Sequence, residues 1–285
     1  MCADLPDNNL SKFLERRLHD MLRRLRQKHS EDSKIPIEKV PRVSDVCVRV
    51  VCQLDKTYHV KENMRGRYHL PNPDKYPGEF YYTSKVVLLF QVRGASQRGC
   101  GAPCGRARAL GVSHRGMAES PPQKIDGLDV LIFGMYVQEY GADCPPPNTR
   151  TVYLSYLDSV KYFKPAIYRT KAYHELLVSY LEYVKKRGFN QLMLWACPPV
   201  KGDDYILYAH PPNQKTPKPE RLREWYMDML QIAKKRKIVE EVRAARAAPD
   251  AANTLHSPPA RLPRTRCHRS RRCTMSTSRR SARGS

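Results

Sequence analysis

"TVYLSYLDSVKYFKPAIYRTKAYHELLVSYLEYVKKRGFNQLMLWAC", residues 151–197, decides the fold. Residues 151–157 read as a strand. A helix follows, in which Tyr173, Leu176, Leu177, Tyr180, Leu181 and Val184 recur at the 3.6-residue period and form one apolar stripe. Lys185, Lys186 and Arg187 suit the negative C-terminal end of that helix, and Gly188 stops it. A short strand at 191–197 completes a strand–helix–strand unit. Such a unit predicts an α/β (α+β) fold, with a central mixed sheet flanked by helices.

The rest of the chain adds elements to this unit. Residues 9–28 carry Leu10, Phe13, Leu14, Leu18, Met21, Leu22 and Leu25 on one helical stripe, with Asn8, Asn9 or Ser11 available as cap and a basic opposite face. β-Branched residues crowd 46–51, and Asp55-Lys56 predicts the turn of a hairpin. Strands are expected at about 82–90 and 128–138, before a Pro-rich turn at 141–150. A last helix starts at Pro219, with Leu222, Trp225, Met229 and Leu230 on its buried side.

The 285 residues carry a net charge of +23, which invites a nucleic-acid reading. That charge is unevenly spread. Residues 92–123 hold five Arg and one acid, and 243–285 hold eleven Arg and one acid, with no Lys in either. They carry +4 and +10, which leaves +9 for the body of the chain. Both segments are rich in Ala, Arg, Ser, Gly and Pro, lack hydrophobic periodicity, and are expected to be disordered. Both start at Val-Arg, and the first ends in Gln, the codon pattern of translated introns; natural basic linkers are the alternative. Cys100, Cys104 and His114 are three candidate metal ligands in the first segment, but zinc takes four in a defined spacing, so no metal is expected. The nine Cys show no paired spacing and predict a reduced, intracellular protein. No apolar run is long enough to cross a membrane, and "MCADLPDNNL" has no basic start followed by an apolar run.

Several residues have side chains suited to chemistry. Arg169-Thr170 stand at a helix start, where free N–H groups and a guanidinium hold phosphate; an exposed Arg and a Thr cap fit the same pattern. Ser159, at the end of the preceding strand, reaches the same place. Cys197 needs a base to act as a nucleophile, and His174 and His210 are candidates, against a buried structural Cys. Trp225-Tyr226 point about 100° apart on a helix, so one can be core while the other faces a cleft. A Tyr phenol can donate a proton to a leaving thiolate, against an ordinary packing Tyr. GxGxxG, GxxxxGK[ST], GxSxG and HExxH motifs are absent.

"YLSYLDSVKYFKP", "RTKAYHELLVSYLEYVKKRGF", "LWACPPVKGDDYILYAHPPNQKTPKPERLREWY" and "DVLIFGMYVQEYGADCPPPNTRTVY" resemble the catalytic domain of the CREB-binding-protein family of histone acetyltransferases, plant relatives included. The resemblance runs from residue 8 to 242, skipping 92–123. It implies transfer of acetyl from acetyl-CoA to lysines of histone tails and other nuclear proteins, in transcriptional coactivation with transcription-factor partners, in the nucleus. It also implies residue roles. Leu157, Asp158 and Ser159 line the CoA site, Arg169 and Thr170 hold its phosphates, and Trp195 and Cys197 flank the pantetheine and thioester. Tyr205 and Gln214 belong to the loop over the cofactor. Trp225 lines the lysine tunnel, and Tyr226 is the general acid of a hit-and-run transfer, with no acetyl-Cys intermediate. Thr216 departs from the family, which has an aliphatic residue there.

The family's domain continues beyond the Trp-Tyr helix, whereas here the Arg-rich segment begins at 243. A truncated, weakly active or inactive domain is therefore expected. The alternatives are a non-enzymatic nuclear scaffold or a basic nucleic-acid-binding fragment, with weak non-specific contact through the Arg-rich tail.

Overall fold

The computed structural model describes residues 4–43, 45–61, 77–92, 129–199, 206–207, 210–245 and 272–276. Among the described residues the α-helices are α1 (Asn9–Ser33), α2 (Arg169–Lys186) and α3 (Pro219–Lys235). Its strands are β1 (Val46–His59), β2 (Glu79–Val92), β3 (Asp129–Tyr140), β4 (Thr151–Ser159), β5 (Gln191–Leu194), β6 (Glu241–Ala245) and β7 (Arg272–Ser276). They form one sheet in the order β1-β2-β3-β4-β5-β7-β6. All neighbours are antiparallel except β4 and β5, which are joined through α2 and run parallel. The sheet is mixed and flanked by helices, as expected.

α1 forms because its apolar positions share a face and its start is closed. The Asn8 side chain accepts from Ser11 N, and the Ser11 hydroxyl accepts from Asn8 N, both at 2.8 Å. Leu10, Leu14, Leu18, Met21 and Leu22 are buried, and the helix packs on β1 and α2. α2 ends as its sequence predicts, with Gly188 at φ +94° in the left-handed region that favours glycine.

Two segments differ from the sequence reading. No turn forms at Asp55-Lys56. β1 continues to His59, with Asp55 opposite Thr83 and Lys56 opposite Tyr82. The long partner β2 supplies ladder bonds that outweigh local turn propensity, and Thr83 Oγ1 donates to the Asp55 carboxylate at 2.7 Å. Five residues of the Arg-rich tail, Arg272–Ser276, form β7 between β5 and β6, and 243–245 belong to β6. Residues 93–123 and the rest of that tail lie outside the described residues.

α2 is buried more widely than its stripe suggests. Every residue from Ala172 to Leu181 is buried, because α1 and α3 cover the face the sheet leaves open. Ion pairs and hydrogen bonds fix it. Tyr180 OH donates to Glu139 Oε1 at 2.9 Å, while Lys85 Nζ donates to Glu139 Oε2 at 2.5 Å. The Lys85 and Glu139 side chains are each 3% exposed. Burial and the Glu139 carboxylate push the Tyr180 phenol far above its usual value, so it remains a donor. Glu182 pairs with Arg17 of α1, and Arg236 clamps Glu175 through two bonds of 2.8 and 2.6 Å.

Glu139→Ala strands the Lys85 ammonium in the core and is expected to cost about 3–5 kcal/mol, against about 1.5–3 kcal/mol for Tyr180→Phe, which removes one donor to the charged carboxylate. Urea unfolding of both variants measures this, and a smaller loss for Glu139→Ala contradicts the arrangement.

Candidate functional site

β4 and β5 are parallel, so their C-terminal ends lie at one edge of the sheet. Leu154 pairs with Leu194, the last residue of β5. Leu157–Ser159 and Trp195–Cys197 therefore leave the paired region at the same end. In α/β units this is the edge where ligands bind, facing the start of the connecting helix.

A loop is fastened across this edge. Asp158 is 8% exposed, and its carboxylate accepts from Ser159 N at 2.8 Å, Ile206 N at 3.2 Å and Leu207 N at 3.0 Å. His210 Nε2 lies 2.7 Å from the same carboxylate. Gln214 holds the loop again: its Nε2 donates to Ser159 O at 2.8 Å, and its Oε1 accepts from Lys161 N at 2.9 Å. The loop can approach the sheet because Gly134, the cross-strand partner of Asp158, has no side chain. A Cβ there would sit 3.0 Å from Ile206 Cγ2 and 3.1 Å from Leu88 Cδ2.

α2 begins beside this edge. No side chain caps its N-terminus, and its first turn contains no acid. Arg169 is half-buried and Thr170 exposed. Arg169 donates one bond of 3.4 Å to Lys161 O, the turn that Gln214 also holds. The Arg169 N–H donates to Ala166 O of the 3-10 turn before it, and the positive end of the helix with the Arg169 guanidinium favours an anion.

α3 adds the aromatic pair. Tyr226 is 6% exposed and Trp225 half-buried, so Tyr226 is the core-facing member of the pair. Their rings meet edge-on, with centroids 5.1 Å apart and planes at 81°. Trp225 also meets His174 of α2, at 4.6 Å and 61°. His174 lies five residues beyond Arg169, which places α3 near the start of α2.

The structure gathers Leu157, Asp158, Ser159, Arg169, Thr170 and Gln214 around the end of β4 and the start of α2. Trp195 and Cys197 are half-buried at the same edge of the sheet. Cys197 is disulfide-bonded, while Cys47, Cys52 and Cys144 are free, so the expectation of a fully reduced chain does not match. Thr216 is exposed. Tyr205 lies outside the described residues, as do Cys100, Cys104 and His114. Sequence reasoning missed Gly134, whose role depends on Ile206 packing above it. It also gave His174 and His210 only to Cys197, whereas they engage Trp225 and Asp158.

Residues 115–261 match the family described as the histone acetyltransferase domain KAT3. This match enters both segments set apart on composition. Among curated proteins, the chain is 46% identical over 246 residues to the rice (Oryza sativa subsp. japonica) probable histone acetyltransferase HAC-like 2, covering 84% of this chain and 15% of the relative. It is 44% identical over 246 residues to histone acetyltransferase HAC4 of Arabidopsis thaliana, covering 84% and 14%. It is 39% identical over 231 residues to protein cbp-1 of Caenorhabditis elegans, covering 81% and 9%. The chain thus spans 9–15% of the length of these relatives.

Asp158→Ala leaves Ile206 N and Leu207 N without their acceptor, at about 1–3 kcal/mol for each amide that stays buried. Amide hydrogen exchange in 206–207 and 210–214 is expected to accelerate while exchange in α1 stays unchanged. Gly134→Ala, which lifts Ile206, is expected to act in the same direction more weakly. Unchanged loop exchange in Asp158→Ala rules out the anchoring.

Proposed function

We propose that this chain, which belongs to the KAT3 histone acetyltransferase domain family, carries part of the machinery that transfers acetyl from acetyl-CoA to lysine side chains of histones and other nuclear proteins. The single observation that carries this reading is the convergence of Gln214 and Arg169 on the backbone of the turn after β4, beside an uncapped helix start. That arrangement suits the phosphates of a CoA thioester, with Thr170 and Ser159 as further polar contacts. Leu157 offers an apolar wall. Trp195 and Cys197, at the same edge, suit the pantetheine arm and the thioester, and Tyr205 and Thr216 belong to the loop on either side of Gln214. Asp158 serves by fastening that loop.

The chemistry assigned to these groups is direct transfer. The lysine amine attacks the thioester carbonyl carbon, a C–N bond forms, and the C–S bond breaks. The departing thiolate takes a proton from the Tyr226 phenol, and the amine loses its own proton to solvent. Trp225, half-buried beside Tyr226, lines the path of the lysine side chain. Alignment of the two substrates supplies most of the acceleration. Histones place the reaction in the nucleus and in transcriptional coactivation.

Tyr226→Phe removes the phenol hydroxyl that serves as proton donor. Its kcat for histone acetylation is expected to fall about 10²-fold or more, with thermal stabilisation by CoA retained. Arg169→Ala is expected to weaken CoA binding by about tenfold, the loss of one charge-assisted hydrogen bond. An unshifted melting temperature in saturating CoA contradicts the reading and favours a non-enzymatic scaffold. A wild-type rate in Tyr226→Phe removes Tyr226 from the chemistry.

A further inference from the structure

His174 is 5% exposed, on α2, at the contact between α2 and α3. Its ring packs on the Trp225 indole with centroids 4.6 Å apart and planes at 61°. Its Nε2 is buried with no hydrogen-bond partner among the described residues. Packing alone does not call for this. A Leu or Phe fills such a place without stranding a nitrogen, which costs on the order of 1–3 kcal/mol.

The charges around the ring are few. Asp228 of α3 acts on it and favours the imidazolium, while Glu175, next to it on α2, is bound to Arg236. Burial outweighs Asp228 and pushes His174 below the ordinary histidine value of 6.5. The imidazole is therefore neutral at neutral pH, and packs on the indole as an uncharged ring.

We propose that His174 is a positioning residue for the Trp225–Tyr226 pair, setting the indole by ring contact and, through the indole, the angle at which Tyr226 presents its phenol. The chain of contacts is His174 to Trp225 at 4.6 Å and Trp225 to Tyr226 at 5.1 Å. The proposal rests on the acetyltransferase reading only for what Tyr226 does.

Fluorescence tests the contact without reference to activity. The chain has two tryptophans, Trp195 and Trp225. Trp195→Phe leaves Trp225 as the single indole, and an imidazolium quenches indole emission more than imidazole does. Acid titration of folded Trp195→Phe is expected to quench emission with a midpoint below 6.5. The step is expected to vanish in Trp195→Phe/His174→Gln. A folded protein without a His174-dependent step overturns the proposal.

Kinetics tests the consequence. His174→Gln keeps a hydrogen-bonding group and loses the ring; its kcat is expected to fall about ten- to a hundredfold, with KM for acetyl-CoA and the CoA thermal shift unchanged. His174→Phe keeps a ring and is expected to recover part of kcat, which also guards against a folding defect in the first variant. Wild-type kcat in both variants overturns the proposal. A wild-type rate in Tyr226→Phe instead overturns the reading of Tyr226.

Discussion

A carboxylate closed off from water has to be satisfied by the protein, and Glu139 is satisfied by partners on two other elements. Lys85 reaches it from β2 and Tyr180 from α2. Few alternative packings preserve both bonds, so this one group fixes how α2 lies on the sheet. Desolvating such charges is costly, which makes their contribution to net stability small and their demand on geometry large. Everything the site needs then follows from where α2 sits. Its start defines one wall of the β4–β5 edge, and its Glu175, held by Arg236, sets the placement of α3.

The second constraint is the loop that returns from β5 to α3. Its described residues are held by polar bonds. Asp158 and Gln214 accept or donate at both ends of the same short strand end, so the loop is fastened to β4 although it follows β5. The missing Cβ of Gly134 sets how close that loop can come. Anchoring by side-chain bonds fastens residues 206, 207, 210 and 214 to an edge where an open loop would be expected.

Legibility in the sequence followed the range of the interactions. α1 and α2 were readable because helix stripes, the Asn8–Ser11 cap and Gly188 act within a few residues. The false turn at Asp55-Lys56 shows the limit: local turn chemistry was present, but a ladder to β2, some 27 residues away, prevailed. β7 was illegible because its pairing with β5 joins residues about 80 positions apart in a stretch without periodicity. In the site, Arg169 at a helix start was readable from charge and helix geometry, whereas the other roles came from resemblance to a family. The buried state of His174, Glu175 and Ser179 could not be read from a stripe, since it depends on α3 arriving from elsewhere in the chain.

α2 has one property that no single residue has: it is a rod of known pitch. Arg169 and His174 lie five residues apart on it, so they stand about 7.5 Å apart along its axis. The rod is packed against α1 and α3 and bonded to β3 through Tyr173 and Tyr180, which leaves that spacing little freedom to change. α2 therefore works as a ruler. The guanidinium at its start and the ring that seats Trp225 are therefore held at a fixed separation, so the two ends of the site cannot drift apart independently.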